Sequence, residues 1–347
     1  MNILRYERTL NVTTALNPLE DLTGWISGLR SEGYAADILR SIHGKAGKTV
    51  RTEARLMGVL AANAVGLIEQ AYTGIPELSY LPLYYAILNL SKICIIASKG
   101  IRLLEANRFH GAGYNPVKKT SQSLLTEQVQ LHKSGVIQLL YEALTTTPWG
   151  NFGRALSLGD VYPFIGRVSL EFRMSFGRLH GMQEIDIQVE GLGHGEFRLR
   201  AQLMSPILKH ADSRRYLKLL EGSWRLDPDD ATILYSRSVA APNASAASQA
   251  LLPSIRRYLI YHSRKSGQIR STTPISSKNL LLPEEIPIWI AFFHLSNIVR
   301  YKPEYLKRLS TSKEWPLLLA LRRHAMLQYL LLFWSYLNQK NYNIVLA

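Results

Sequence analysis

The stretch from Ser79 to Gly113, SYLPLYYAILNLSKICIIASKGIRLLEANRFHGAG, constrains the chain more than any other. Leu81, Leu83, Tyr84, Tyr85, Ile87, Leu88, Leu90, Ile93, Cys94, Ile95 and Ile96 leave no continuous polar face. A helix that is apolar all round has to be surrounded by other elements. The sequence therefore predicts a central buried helix over residues 79–98. Asn89 and Lys92 interrupt it, three apart and so neighbours on the helical surface. Burial makes a lysine costly unless it is paired, and the two are read as a buried polar pair with a structural role, anion binding being the minor alternative. The helix runs out through a basic connection into Arg108-Phe109-His110-Gly111.

A helix of that kind also has the length of a membrane span, which needs about 20 mostly apolar residues. Pro82, Asn89, Ser91 and Lys92 break its apolar character, and Arg322-Arg323-His324 split the C-terminal run Leu317–Leu337. Both read as buried helices, and no membrane span is expected. The N-terminal MNILRYERTLNV carries scattered charges and no signal-peptide core. Cys94 is the single cysteine, so neither an internal disulfide nor a cysteine metal site is available. A cytoplasmic location is the expectation.

Helical spacing predicts two short helices between Pro18 and Ile42 separated at Gly33, and a longer one from about Val50 to Tyr72. After His110 the pattern mixes. Residues 128–137 read as a hairpin with Lys133-Ser134-Gly135 in its turn, continuing into a short helix. Ile185–Val189 and Glu196–Gln202 alternate as strands about a glycine-rich turn, Pro206–Leu220 has helical spacing, and Ile233–Tyr235 and Tyr258–Tyr261 are further strands. Helices return over Ile288–Val299, Glu304–Leu309 and Pro316–Leu337. The predicted fold is α+β and mostly helical: helices of residues 1–114 and 281–347 form one body, with a mixed α/β lobe of residues 115–280 inserted between them. No solenoid repeat is visible.

With 47% hydrophobic residues the chain can bury a substantial core, and 41 Lys+Arg against 26 Asp+Glu leave a formal charge of +15. That excess favours polyanionic partners, RNA or DNA, or else an acidic protein or membrane surface. Basic residues interleave with aromatics in two segments, Arg256, Arg257, Tyr258, Tyr261, Arg264, Lys265 and Arg270, and Arg300, Tyr301, Lys302, Tyr305, Lys307 and Arg308. Such mixtures neutralise phosphates and stack on bases; the alternative is core tyrosines beside solvated cations.

Motifs for specific chemistries are weak. Gly44-Lys45-Ala46-Gly47-Lys48-Thr49 has the end of a phosphate loop, but Ile42 stands where its first glycine belongs and no strand precedes it. No GxSxG elbow or HExxH pair occurs, and Asp227-Pro228-Asp229-Asp230 lacks the glycine and glutamate of a calcium loop. No metal or cofactor is expected. Of nine histidines, His110 stands out because it follows Arg108 at a helix end and precedes a glycine; packing of that helix end is the competing reading.

The runs Tyr84-Tyr85-Ala86-Ile87-Leu88-Asn89-Leu90-Ser91-Lys92, His110-Gly111, Lys133-Ser134-Gly135, and His294-Leu295-Ser296-Asn297-Ile298-Val299-Arg300-Tyr301 before a Pro-Glu-Tyr helix resemble the YaaC-like family of bacterial proteins. The resemblance implies a bacterial, cytoplasmic protein. The buried-helix motif is also distantly similar to HEPN-type proteins, which include ribonucleases of antiphage systems. That analogy implies an arginine and histidine four to six residues apart on a helix, acting on RNA phosphate and 2′-hydroxyl. Arg256 or Arg257 with His262 has the spacing, though in a predicted strand; Arg108 with His110 is the other candidate pair. The expectation is a nucleic-acid-associated or regulatory protein of a defence or stress system. The alternatives are a metal-independent ribonuclease using these residues, and a non-catalytic assembly subunit binding a partner protein or its own copies through the C-terminal helix.

Overall fold

The computed structural model describes residues 9–14, 17–115, 123–145, 148–149, 155–176, 182–203, 224–230, 232–251, 260–265, 268–274 and 282–346. In chain order the elements are β1 (Thr9–Thr14), α1 (Pro18–Gly28), α2 (Glu32–Ser41), α3 (Thr49–Thr73), α4 (Tyr80–Lys99), α5 (Ile101–Ala106), β2 (Ala112–Asn115), β3 (Gln128–Leu131), α6 (Val136–Thr145), β4 (Ala155–Ser157), α7 (Leu158–Val161), α8 (Ser169–Phe176), β5 (Met182–Gly193), β6 (Glu196–Leu203), β7 (Trp224–Leu226), β8 (Ile233–Ser236), β9 (Val239–Ala240), α9 (Ala244–Leu251), β10 (Ile260–Lys265), β11 (Gln268–Pro274), α10 (Glu285–Tyr301), α11 (Pro303–Ser310), α12 (Trp315–Ala320), α13 (Met326–Asn338) and β12 (Asn341–Leu346). The protein is α+β and mostly helical, as its periodicity predicts.

Two compact units result, one of residues 13–180, 285–339 and 346–347, the other of 1–12, 181–284 and 340–345. The first is helical and centred on α4, which packs against α3, α6, α10 and α13. Its apolar side chains from Leu83 to Ala97 are buried nearly all round. The apolar C-terminal helix α13 supplies Leu330, Leu331, Leu332, Phe333 and Trp334 to the same core. Thus the surface that suggested an assembly helix is covered within its own unit. Among the described residues, the one helix long and apolar enough to cross a membrane is this α4 region, Pro76–Lys99, and it is mostly buried in the core.

Several local expectations change. Asn89 and Lys92 are half-buried, not buried: Leu81, Tyr85, Asn89 and Lys92 form a stripe at spacings of four, four and three that the neighbouring helices cover incompletely. The fully buried polar side chain of α4 is Ser91, whose hydroxyl donates to Ile87 O at 2.7 Å and shares a hydrogen bond with Tyr329 Oη at 2.8 Å. The break between α1 and α2 falls at residues 29–31, because the Ser31 hydroxyl accepts from Tyr34 N–H and caps α2 ahead of Gly33. Lys133-Ser134-Gly135 leads from β3 straight into α6 without a second hairpin arm; the partners of β3 are β2 and β4, both antiparallel. Residues 123–176, expected in the inserted lobe, belong to the helical unit.

A π-helical turn, Leu321–Ala325, joins α12 to α13 within the predicted Pro316–Leu337 helix. It turns Arg322 inward, where Nη2 donates to Ala71 O at 3.0 Å and the guanidinium lies 4.9 Å from the centre of the Tyr72 ring, while Arg323 and His324 stay exposed. Three consecutive helical residues cannot share a face, so the trio divides between core and solvent.

In the second unit the predicted strands appear in an antiparallel sheet of order β10-β11-β5-β6-β8-β7, with β9 also on β6. β5 and β6 are joined around Gly193 and Gly195, both at positive φ. The small-residue stretch after Ala240 forms α9, capped by Asn243 Oδ1 accepting from Ala246 N–H. β1 pairs with β12, which periodicity did not suggest. The helix predicted at 206–220 lies outside the described residues.

Candidate functional site

His110 is held by an interlock of two turns. Gly111 (φ +83°) and Gly135 (φ +134°) approach so closely that a Cβ on Gly135 would lie 2.4 Å from Gly111 Cα, a space only glycine leaves open. Across this contact the first N–H groups of α6 find acceptors: Val136 N–H donates to Phe109 O at 3.0 Å and Ile137 N–H to His110 O at 3.2 Å. The Gln138 side-chain amide adds donations to Gly111 O at 2.8 Å and His132 O at 2.6 Å.

So fixed, the His110 ring shares a short hydrogen bond through Nδ1 with the Tyr84 hydroxyl of α4. Tyr84 is wedged against Trp289 and Phe293 of α10, at ring separations of 5.4 and 5.5 Å. Arg300, two turns beyond Phe293 on α10, donates to Ser296 O and to Tyr85 Oη at 3.3 and 3.4 Å. Partial burial, then the positive charges of Arg300 and Lys92, hold the imidazole below the usual histidine range, so His110 is neutral at neutral pH. Two aromatic rings stand out from this edge, Phe109 at 50% exposure and Tyr301 at 67%. Among the described residues, Arg300 and Arg108 make no ion pair with a carboxylate; Arg108 is exposed and donates to Glu105 O at 3.2 Å.

Beneath the same end of α10 lies a second, buried cluster. His294 is fully buried and its Nε2 faces Glu127 Oε2 at 3.6 Å; Glu127 is 3% exposed. Lys302 Nζ is 3.5 Å from Glu127 Oε1 and lies 5.2 and 5.7 Å from the ring centres of Tyr114 and Tyr305. The Tyr114 ring meets His294 edge-on at 5.4 Å. Burial lowers the His294 pKa and keeps the ring neutral. For Glu127 burial acts upward, but His294 and Lys302 together outweigh it and its pKa falls below the ordinary value. Among the described residues, the buried Tyr114 Oη, Tyr305 Oη and His294 Nδ1 have no hydrogen-bond partner. Each orphaned atom of this kind costs about 1–3 kcal/mol. Lys302 and Tyr305 also line an adjoining cleft of about 630 Å³ together with Tyr301, Pro303, Glu304 and Arg308.

The expected site residues are therefore distributed unevenly. His110, Lys92, Arg300, Tyr301 and Lys302 gather around the C-terminal end of α10, with Asn89 beside Lys92 on α4. Arg108 directs its Nε to a backbone carbonyl and not to the histidine. Arg256 and Arg257 lie outside the described residues. His262, Arg264, Lys265 and Arg270 have their backbones in the β10–β11 hairpin of the other unit, with Arg264 opposite Ile269 and Arg270 opposite Ser263; their side chains lie outside the described part. His262 thus sits on a strand and lacks the helical setting that a ribonuclease Arg–His pair requires. Glu127, Tyr114 and His294 escaped the sequence reading as site residues, because no spacing rule links positions on β2, on the turn before β3 and on α10. No group of three or more potential metal ligands occurs among the described residues.

No curated protein and no solved structure matches the chain. The YaaC-like Protein family model matches residues 44–337, which include α4, the His110 turn, Glu127 and the whole of α10. The chain belongs to the YaaC-like family.

Proposed function

We propose that the protein is a nucleic-acid-associated, non-catalytic protein that holds a single strand against the edge formed by Phe109, His110, Arg300 and Tyr301. The observation that carries this reading is the pairing of two strongly exposed aromatic rings with guanidinium groups that, among the described residues, make no ion pair with a carboxylate. Base stacking on such rings is worth about 1–3 kcal/mol per base and tolerates any sequence, and the cations follow the backbone. The formal charge of +15 adds long-range attraction for polyanions. His110, neutral and hydrogen-bonded to Tyr84, then serves as a fixed polar contact beside the strand.

The test is fluorescence anisotropy with a labelled mixed-sequence single-stranded RNA and its DNA counterpart across a salt series. Binding should weaken linearly in log–log form as salt rises. Arg300→Ala should reduce the steepness by about one counterion, and Tyr301→Ala should cost about tenfold in affinity with the salt slope unchanged. Absence of binding, or binding indifferent to salt, refutes the proposal. Shortening of the RNA during incubation, abolished by His110→Ala, would replace it with the ribonuclease alternative.

A further inference from the structure

We infer that the cleft between α1, the C-terminal end of α3 and the π-turn Leu321–Ala325 binds a small amphipathic zwitterion: an amino acid or short peptide with a large apolar side chain. The cleft has a volume of about 620 Å³, within the roughly 300–1,000 Å³ typical of small-molecule sites. Of its lining residues Ile68 is buried and Leu19, Tyr72 and Leu327 are half-buried, so the floor is apolar. Glu20, Glu69, Arg323 and His324 are exposed and stand around the mouth. π-Helical turns within α-helices recur at functional sites, and this one serves the cleft twice. Inward, the Arg322 guanidinium lies 4.9 Å from the centre of the Tyr72 ring, and the Tyr72 hydroxyl donates to Arg322 O. Tyr72 therefore presents a fixed ring to an occupant. Outward, the same turn delivers Arg323 and His324.

The charges describe the occupant. Glu20, Glu69 and Arg323 line one cleft, yet among the described residues none of them makes an ion pair or a side-chain hydrogen bond. Glu69 stands near the C-terminal end of α3, the end at which the helix dipole disfavours a carboxylate, so helix stability does not account for it. An anion would meet two carboxylates, a cation would leave the guanidinium unanswered, and a neutral apolar ligand would use none of the three. A ligand with both an ammonium and a carboxylate answers both signs. Its ammonium donates to Glu20 or Glu69 and its carboxylate accepts from Arg323, in charge-assisted hydrogen bonds. The apolar floor then takes a side chain of the leucine or phenylalanine kind.

The cleft shares no residue with the strand-binding edge, so the two proposals stand or fall separately. Isothermal titration of the full chain with L-leucine, L-phenylalanine and the dipeptide leucyl-phenylalanine tests it. Glycine, N-acetyl-L-phenylalanine and L-phenylalaninamide serve as probes that lack the apolar body, the ammonium and the carboxylate in turn. At least one of the three complete ligands should bind one-to-one with a Kd below about 1 mM, and each incomplete probe should bind at least about fivefold more weakly. Whether the amino acids or the dipeptide bind more tightly tells a free amino acid from a peptide as the source. Arg323→Gln should weaken the tightest of the three by about three- to tenfold yet leave phenylalaninamide unchanged. Glu20→Gln combined with Glu69→Gln should do the same while leaving N-acetylphenylalanine unchanged. All three positions are exposed, and substitutions there leave the fold intact. No binding at about 5 mM, incomplete probes that bind as well as the complete ligands, or variants that bind as the parent does overturn the inference.

Discussion

Replacing Gly135 by alanine tests the interlock that positions His110. The new Cβ would stand 2.4 Å from Gly111 Cα, 2.5 Å from Gly111 N and 3.0 Å from Phe109 O, all backbone atoms that cannot swing away as a side-chain tip would. The φ of +134° is also a region that L side chains avoid, and holding it costs about 1–3 kcal/mol. If the two turns stay together, steric overlap adds about 1–3 kcal/mol. If they separate, the bonds from Val136 N–H to Phe109 O and from Ile137 N–H to His110 O are lost, at about 0.5–1.5 kcal/mol each. Either route gives a total of about 2–6 kcal/mol, and the second also releases His110 from Tyr84. Urea unfolding followed by tryptophan fluorescence reads the cost, since Trp289 stacks on Phe293 at 5.4 Å beside Tyr84. Gly24→Ala and Gly66→Ala are the controls: both lie within helices with nothing inside 4 Å of a new Cβ, and each should gain about 0.5–1 kcal/mol. A Gly135→Ala protein that unfolds within about 0.5 kcal/mol of the parent refutes the reasoning.

Ser91→Ala and Tyr329→Phe break a hydrogen bond between α4 and α13 that lies in the apolar core. A double-mutant cycle should give a coupling of about 0.5–1.5 kcal/mol, and additive single effects would deny that the bond contributes. Acidification should destabilise the fold. Burial holds His43, His110 and His294 below the ordinary value of 6.5, so the unfolded chain takes up protons first as the pH falls. Their contribution is complete above that value and declines below it. Glu127, lowered by His294 and Lys302 against the effect of its own burial, extends the decline below its ordinary value of 4.5. Melting temperatures that stay level or rise between about pH 7.5 and about pH 5 contradict this sign. Arg322→Met keeps the length of a buried side chain but removes the donation to Ala71 O. It should shift stability by no more than about 2 kcal/mol, and a larger loss by calorimetry would mean the guanidinium holds the π-turn in place.

The helical unit was legible wherever local pattern and burial agree. Residues 80–99 have nowhere to place a polar face, so their central position follows from the order of amino acids alone; the same holds for the apolar α13 and for the alternating β5 and β6. Family membership was legible too, through short runs that lie on α4, at the His110 turn and along α10. Tertiary structure decided the rest. Asn89 and Lys92 are half-buried because four neighbouring helices leave one stripe of α4 uncovered, which no one-dimensional period encodes. Gly135 reads as a hairpin turn until Gly111 is seen against it. Glu127 is an isolated acid and His294 one polar residue in an apolar helix, and only folding brings them to 3.6 Å. Local sequence sets which face an element can bury, whereas the partner met there depends on contacts between residues far apart in the chain, where backbone propensity carries no information.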